Sequence, residues 1–202
     1  MTKIPPKILK LIHEIIRSEG GSKFTNHPHD TGGATKFGIT AATLGHHRKL
    51  KRNATPDEVK ALKKQEAIDI YYKQYILRPN YDEIEDENLQ ESVVDFGVNA
   101  GTSVATKRLQ RMVNQITGTN TLKVDGMLGH NSLIQVNAMS EKHGQLFTDC
   151  LGYLRIKFYI AITRKNPDNQ TWIRGWCNRA NRFISKDNQF DKALLPNYIK
   201  GL

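Results

Sequence analysis

The chain has 202 residues, enough for one domain of ordinary size or a main body with a small appended lobe, which excludes two large independent domains. Lys and Arg number 30 against 20 Asp and Glu, a formal charge of +10 that points to anionic partners such as nucleic acid, acidic membranes or bacterial wall polymers. Cys150 and Cys177 are too few and too far apart for a disulfide framework or a CxxC metal knuckle and read as two buried thiols.

From the N-terminus, Met1-Thr2-Lys3-Ile4-Pro5-Pro6 runs into Lys10, His13, Glu14 and Arg17, without the apolar core and cleavage site of a signal peptide. Nothing approaches the ~20 apolar residues of a membrane span. A monomer made in the cytoplasm is therefore expected. Pro6 suits the first turn of a helix, and Ile8, Leu9, Leu11, Ile12, Ile15 and Ile16 recur at spacings of three and four, predicting one apolar stripe that ends at Gly20-Gly21. Residues 22–40, rich in Gly, Thr, Asn, Asp and Pro, read as loop with a short hairpin. Basic residues Arg48, Lys49, Lys51 and Arg52 follow His46-His47 in what reads as a surface loop. Thr55-Pro56-Asp57-Glu58 carries a capping-box pattern and opens a helix expected to reach about residue 75. Helical periods resume over 87–99, 103–116, 131–139, 141–163 and 169–184, with a polar, glycine-bearing break over 119–130. The expected class is mainly α, with one short irregular β-hairpin or loop region after the first helix.

A carboxylate in the last turn of an apolar helix sits at the negative end of the helix dipole, and partial burial adds a desolvation penalty. Both favour the proton-bearing form of Glu19, which is what a general acid requires. Gly20 and Gly21 end the helix and leave room for a bulky ligand. Taken alone, these three residues fit a surface glutamate before a glycine cap better. The following block, Asp30-Thr31-Gly32-Gly33-Ala34-Thr35-Lys36-Phe37-Gly38-Ile39-Thr40, adds a second carboxylate at Asp30 and a hydroxyl at Thr35 suited to holding a water. In inverting glycosidases two such carboxyl groups stand roughly 6.5–9.5 Å apart with the water between them.

The run Glu19-Gly20-Gly21, Asp30-Thr31-Gly32-Gly33-Ala34-Thr35 and Phe37-Gly38-Ile39-Thr40 closely resembles the signature of glycoside hydrolase family 108, N-acetylmuramidases of phages and bacteria. Its spacing is also similar to the Glu, Asp, Thr triad of family 24 phage lysozymes, which maps onto Glu19, Asp30 and Thr35. The resemblance continues at Asp95-Phe96-Gly97-Val98-Asn99-Ala100-Gly101, from Ala105 to Leu109-Gln110, and at Arg174-Gly175-Trp176-Cys177-Asn178-Arg179. It implies a lysozyme-like helical fold, a catalytic part over 1–118 and a peptidoglycan-binding lobe over 119–202. It also implies cleavage of the β-1,4 bond between N-acetylmuramic acid and N-acetylglucosamine, with Glu19 as acid and Asp30 with Thr35 positioning water. Where the family pattern often reads Asn-Asp-Pro-x-Asp, this chain has Asn26-His27-Pro28-His29-Asp30, leaving Asp30 as the loop carboxylate.

His27, His29 and Asp30 lack the helical spacing of a zinc motif, so neither metal nor cofactor is expected. Tyr71, Tyr72 and Tyr75 read first as core, with Tyr72 a candidate for substrate contact. Trp172 and Trp176 share a helix face where sugars could stack, Trp176 being the candidate. Asn99 and Asn178 suit hydrogen bonding to N-acetyl groups, with capping as the other reading. The expected partner is peptidoglycan, reached after release through a holin or another export route, so that the enzyme acts on the wall in the periplasm. A lytic transglycosylase and a non-catalytic wall binder are the alternatives. No zinc-finger or RRM signature supports specific nucleic-acid binding.

Overall fold

The computed structural model describes residues 4–26 and 33–190, and the chain divides into two compact units between Arg78 and Pro79. Asp30 and its neighbours His27 and His29 lie outside the described residues.

In the first unit, helix α1 (Pro6–Ser18) starts on Pro6 and buries Ile8, Leu11, Ile12, Ile15 and Ile16, as the apolar stripe predicts. Gly20 (φ +94°) and Gly21 (φ +62°) end it, and the amide of Gly21 donates to the Ile16 carbonyl at 2.9 Å, closing the last turn. Beyond the turn, Thr25 exchanges backbone hydrogen bonds with Thr35, and strands β1 (Thr35–Lys36) and β2 (Ile39–Thr40) pair antiparallel with Thr35 opposite Thr40. Phe37 (φ +56°) and Gly38 (φ +75°) form the two-residue connection, both left-handed as a type I′ turn demands. Phe37 is not a residue that favours this conformation. Its burial to 6 % exposure and the bond from the Tyr71 hydroxyl to its carbonyl, 3.0 Å, hold it there.

Two expectations for this unit need correction. His46 and His47 close a short helix, α2 (Ala41–His47), rather than opening a loop: Thr40 caps it by accepting from the Thr43 amide, and Leu44 is fully buried. The basic residues that follow are partly paired, Arg48 with both carboxylate oxygens of Glu66 and Arg52 with both of Glu58. The capping box at Thr55 forms, and Glu58, bonded by Arg52 and by the Thr55 amide, has its carboxyl lowered to about 2. The helix it opens does not reach residue 75. Helix α3 (Pro56–Lys60) stops at Ala61, Leu62 turns into the core, and Lys63 is extended (ψ 149°) before α4 (Lys64–Tyr71) begins. Helix α4 then widens into a π turn (Tyr72–Leu77) in which the Arg78 amide reaches back five residues to Lys73, 3.0 Å.

The second unit consists of α5 (Glu87–Ala100), α6 (Thr102–Thr117), α7 (His130–His143), α8 (Gln145–Lys165) and α9 (Gln170–Asn181), with short 3-10 turns between. Helix α8 packs against the other four and is buried along most of its length. The break between α7 and α8 falls at Gly144 (φ +53°), four residues beyond the expected Ser140, which is itself buried inside α7. The segment expected as a break over 119–130 is irregular up to Gly129 and is tied to α6 by two buried amides. Asn114 brackets Leu122, donating to its carbonyl and accepting from its amide, while Gln110 donates to Asp125 and Met127 and accepts from Gly126. Cys177 is buried and Cys150 half-buried. Among the described residues no helix is long and apolar enough to cross a membrane.

Candidate active site

Glu19 caps α1 at a half-buried position, its amide bonded to the Ile15 carbonyl at 2.9 Å. The hairpin folds back onto this point, with the Phe37 amide donating to the Gly21 carbonyl at 3.1 Å. Gly38 thereby lies directly against the glutamate. A Cβ built there would stand 2.7 Å from Glu19 Cβ, 3.1 Å from Glu19 Cγ and 2.5 Å from the Tyr71 hydroxyl. Tyr71 is buried and packs its ring against Tyr75 (5.6 Å between centroids). The phenol of Tyr75 is pushed up from its ordinary value by burial and, secondarily, by the charge of Glu19. Helix end, hairpin tip and the Tyr71 hydroxyl thus meet at the Glu19 side chain.

Of the other residues predicted for this unit, Thr35 lies on β1, half-buried, with its hydroxyl donating to the Gly33 carbonyl at 3.2 Å. Tyr72 is 7 % exposed on the first residue of the π turn, and Tyr75, three residues on, is half-buried. Spacing could not separate these tyrosines, because the regular helix it assumed gives way at Tyr72.

The second unit gathers a buried polar network that sequence reading missed. Asp95, 2 % exposed, receives Arg155 Nη2 at 2.7 Å and Arg179 Nε at 2.9 Å. Arg155, fully buried, also donates from Nε to the Tyr159 hydroxyl (2.6 Å), which donates to Asn99 Oδ1 (2.6 Å). Burial pushes the Tyr159 phenol up, which keeps it a donor. Asn99 is therefore held with its amide nitrogen facing away from this bond. Trp176 packs its ring on Tyr159 at 5.3 Å and is half-buried, while Trp172, one turn earlier, is 61 % exposed and Asn178 is exposed.

Residues 12–101 match the family model described as Glycosyl hydrolase 108, and residues 104–181 match that described as Predicted Peptidoglycan domain. The structure of Brucella abortus SagA is similar over 93 % of this chain and 98 % of that one, at 30 % identity and a TM-score of 0.70. The chain belongs to the glycosyl hydrolase 108 family. No curated protein matches it. As a glycosyl hydrolase 108 member with a peptidoglycan domain it is a glycosidase and a peptidoglycan hydrolase, on a mainly α, lysozyme-like fold. The glycosyl hydrolase 108 segment runs through α5, which packs with α6 and α8 in the second compact unit. Asp95 belongs to that segment, and Arg155 and Arg179 belong to the peptidoglycan segment.

Proposed function

We propose that this protein is an N-acetylmuramidase that cleaves the β-1,4 bond between N-acetylmuramic acid and N-acetylglucosamine, with Glu19 as the general acid. The observation that carries the reading is the crowding of the half-buried Glu19 side chain between a helix end, the glycine tip of a hairpin and the Tyr71 hydroxyl. Glu19 donates its proton to the glycosidic oxygen, the bond to the anomeric carbon breaks, and the leaving sugar departs with a new hydroxyl. Asp30 and Thr35 orient the water that completes the hydrolysis. Thr35 stands on the hairpin that carries Gly38, the residue packed against Glu19.

Residues 119–202 serve wall binding in this reading, and the exposed Trp172 offers a sugar-stacking face, with Asn99, Trp176 and Asn178 in the same unit as further contacts. The test is digestion of purified peptidoglycan by wild type and by Glu19→Gln, with the fragments identified by mass spectrometry. Reducing N-acetylmuramic acid ends from wild type and none from the variant are expected. Anhydro ends would establish a transglycosylase instead, and wild-type turnover by Glu19→Gln would remove the acid assignment.

A further inference from the structure

In the second unit, the first turns of α5, the start of α8 and residues 182–189 beyond α9 line a cavity of about 460 Å³, a size usual for small-ligand sites. Its lining carries both signs of charge, Glu91 from α5 and Arg182 and Lys186 from the segment after α9. We infer that this cavity holds the peptide stem of peptidoglycan, with Glu91 taking the free amine of the stem's diamino acid and Arg182 and Lys186 taking its carboxylates. This rests on the reading of residues 119–202 as wall-binding, and it names the part of the wall that is held.

The walls are fixed by bonds within the protein. Gln145 Nε2 donates to the Phe183 carbonyl at 3.0 Å and to Asp149 Oδ1 at 2.8 Å, and its Oε1 accepts from Asn88 Nδ2 at 3.1 Å, so one side chain ties the three stretches together. Buried Asp149 also accepts from the Ser185 amide at 2.8 Å, and Gln189 Nε2 donates to the Asn181 carbonyl at 3.2 Å. These bonds occupy amide nitrogens and leave Asn88 Oδ1 and Gln189 Oε1 as acceptors, which suits peptide N–H groups.

The charges select the ligand. Glu91 is half-buried and Lys186 exposed, and among the described residues neither forms an ion pair, although both line the same cavity. A purely anionic polymer meets the Glu91 carboxylate, and a simple amine meets two cations. A ligand carrying an amine and carboxylates together satisfies both. Stem peptides of peptidoglycan have that character wherever the diamino acid is not cross-linked. Among the described lining residues the aromatic ring is Phe183, which lies under the Arg182 guanidinium at 5.8 Å, an arrangement that suits a charged peptide better than a stacked sugar.

The experiment titrates the full chain, by calorimetry, with a sugar-free stem tripeptide, N-acetyl-alanyl-γ-glutamyl-diaminopimelate, and with the same peptide acetylated on its remaining amine. Wild type should bind the free-amine peptide and lose about fivefold or more in affinity when the amine is blocked. Glu91→Gln should bind the two peptides alike, a loss of discrimination that a merely structural change would not produce. Lys186→Ala should weaken both by a similar factor and keep the preference for the free amine. Equal affinity of wild type for the two peptides, or displacement of the tripeptide by glycan stripped of its stems, would overturn the proposal. Co-sedimentation with insoluble peptidoglycan separates the two levels. If the chain sediments with the wall but does not bind the tripeptide, wall binding stands and the stem site falls. If it does neither, both fall.

Discussion

Asp95 and Arg179, 84 residues apart, meet with Arg179 Nε 2.9 Å from each carboxylate oxygen. The contact joins the last helix of the hydrolase segment to the last helix of the peptidoglycan segment inside one core. Arg155, with no exposed side-chain surface, makes Asp95 the partner of two arginines. Removing one partner of a buried ionic group leaves the others desolvated, which typically costs about 3–5 kcal/mol. Asp95→Ala is expected to lower unfolding free energy by that order, read by urea denaturation.

Gly38 and Gly20 both have positive φ, but Gly20 follows Glu19 in the chain whereas Gly38 is packed against it by the hairpin. Alanine at position 20 meets no atom outside its chain neighbours within 4 Å and should cost the left-handed backbone penalty, roughly 1–2 kcal/mol. Alanine at position 38 adds a collision with Glu19 Cβ and the Tyr71 hydroxyl. Measured side by side, Gly20→Ala should lower the melting temperature while keeping kcat near wild type. Gly38→Ala should reduce kcat on peptidoglycan by about a hundredfold or more, as displacing a catalytic group does.

Asp149, buried on α8, faces opposing effects. Burial disfavours its charge, but the donors Asn188, Ser185 and Gln145 outweigh that and hold its carboxyl below the ordinary range. A carboxyl lowered on folding stabilises the protein above its unfolded value, near pH 4, and the contribution disappears as pH falls through the folded value. Asp149→Asn should be less stable at neutral pH and lose less stability than wild type on acidification below about pH 4. Parallel unfolding curves for the two proteins at every pH would refute this.

The two tryptophans should separate binding from folding. Trp176→Ala removes a ring packed on Tyr159 and should destabilise by roughly 3 kcal/mol. Trp172→Ala deletes an exposed ring and should leave the melting temperature almost unchanged while weakening co-sedimentation with insoluble peptidoglycan. Undiminished co-sedimentation would take Trp172 out of the wall-binding surface.

Local pattern made α1 legible, because its apolar spacing, N-terminal proline and terminal glycines all agree on one helix. Helices α5, α6 and α9 were readable for the same reason. Helix α2 was not, since Gly45 and two histidines are weak helix formers and its stability comes from the Thr40 cap and the burial of Leu44. The π turn likewise left no mark in the spacing of Tyr71, Tyr72 and Tyr75. Glu19 stands out as a candidate in the sequence through its glycines and the block that follows, whereas Gly38 as its neighbour needed the hairpin to be folded. Arg155 was invisible because a fully buried arginine is rare, and its partner Asp95 lies 60 residues earlier in the chain.

Helix α5 belongs by sequence to the hydrolase and by packing to the unit that follows. The two segments are therefore poorly suited to being inherited or recombined as separate modules. A chimera that exchanged the wall-binding half at residue 102 would pair one parent's Asp95 with another parent's arginines. A junction between Arg78 and Pro79 would transfer carboxylate and arginines together, so viable hybrids of this enzyme should cross over there.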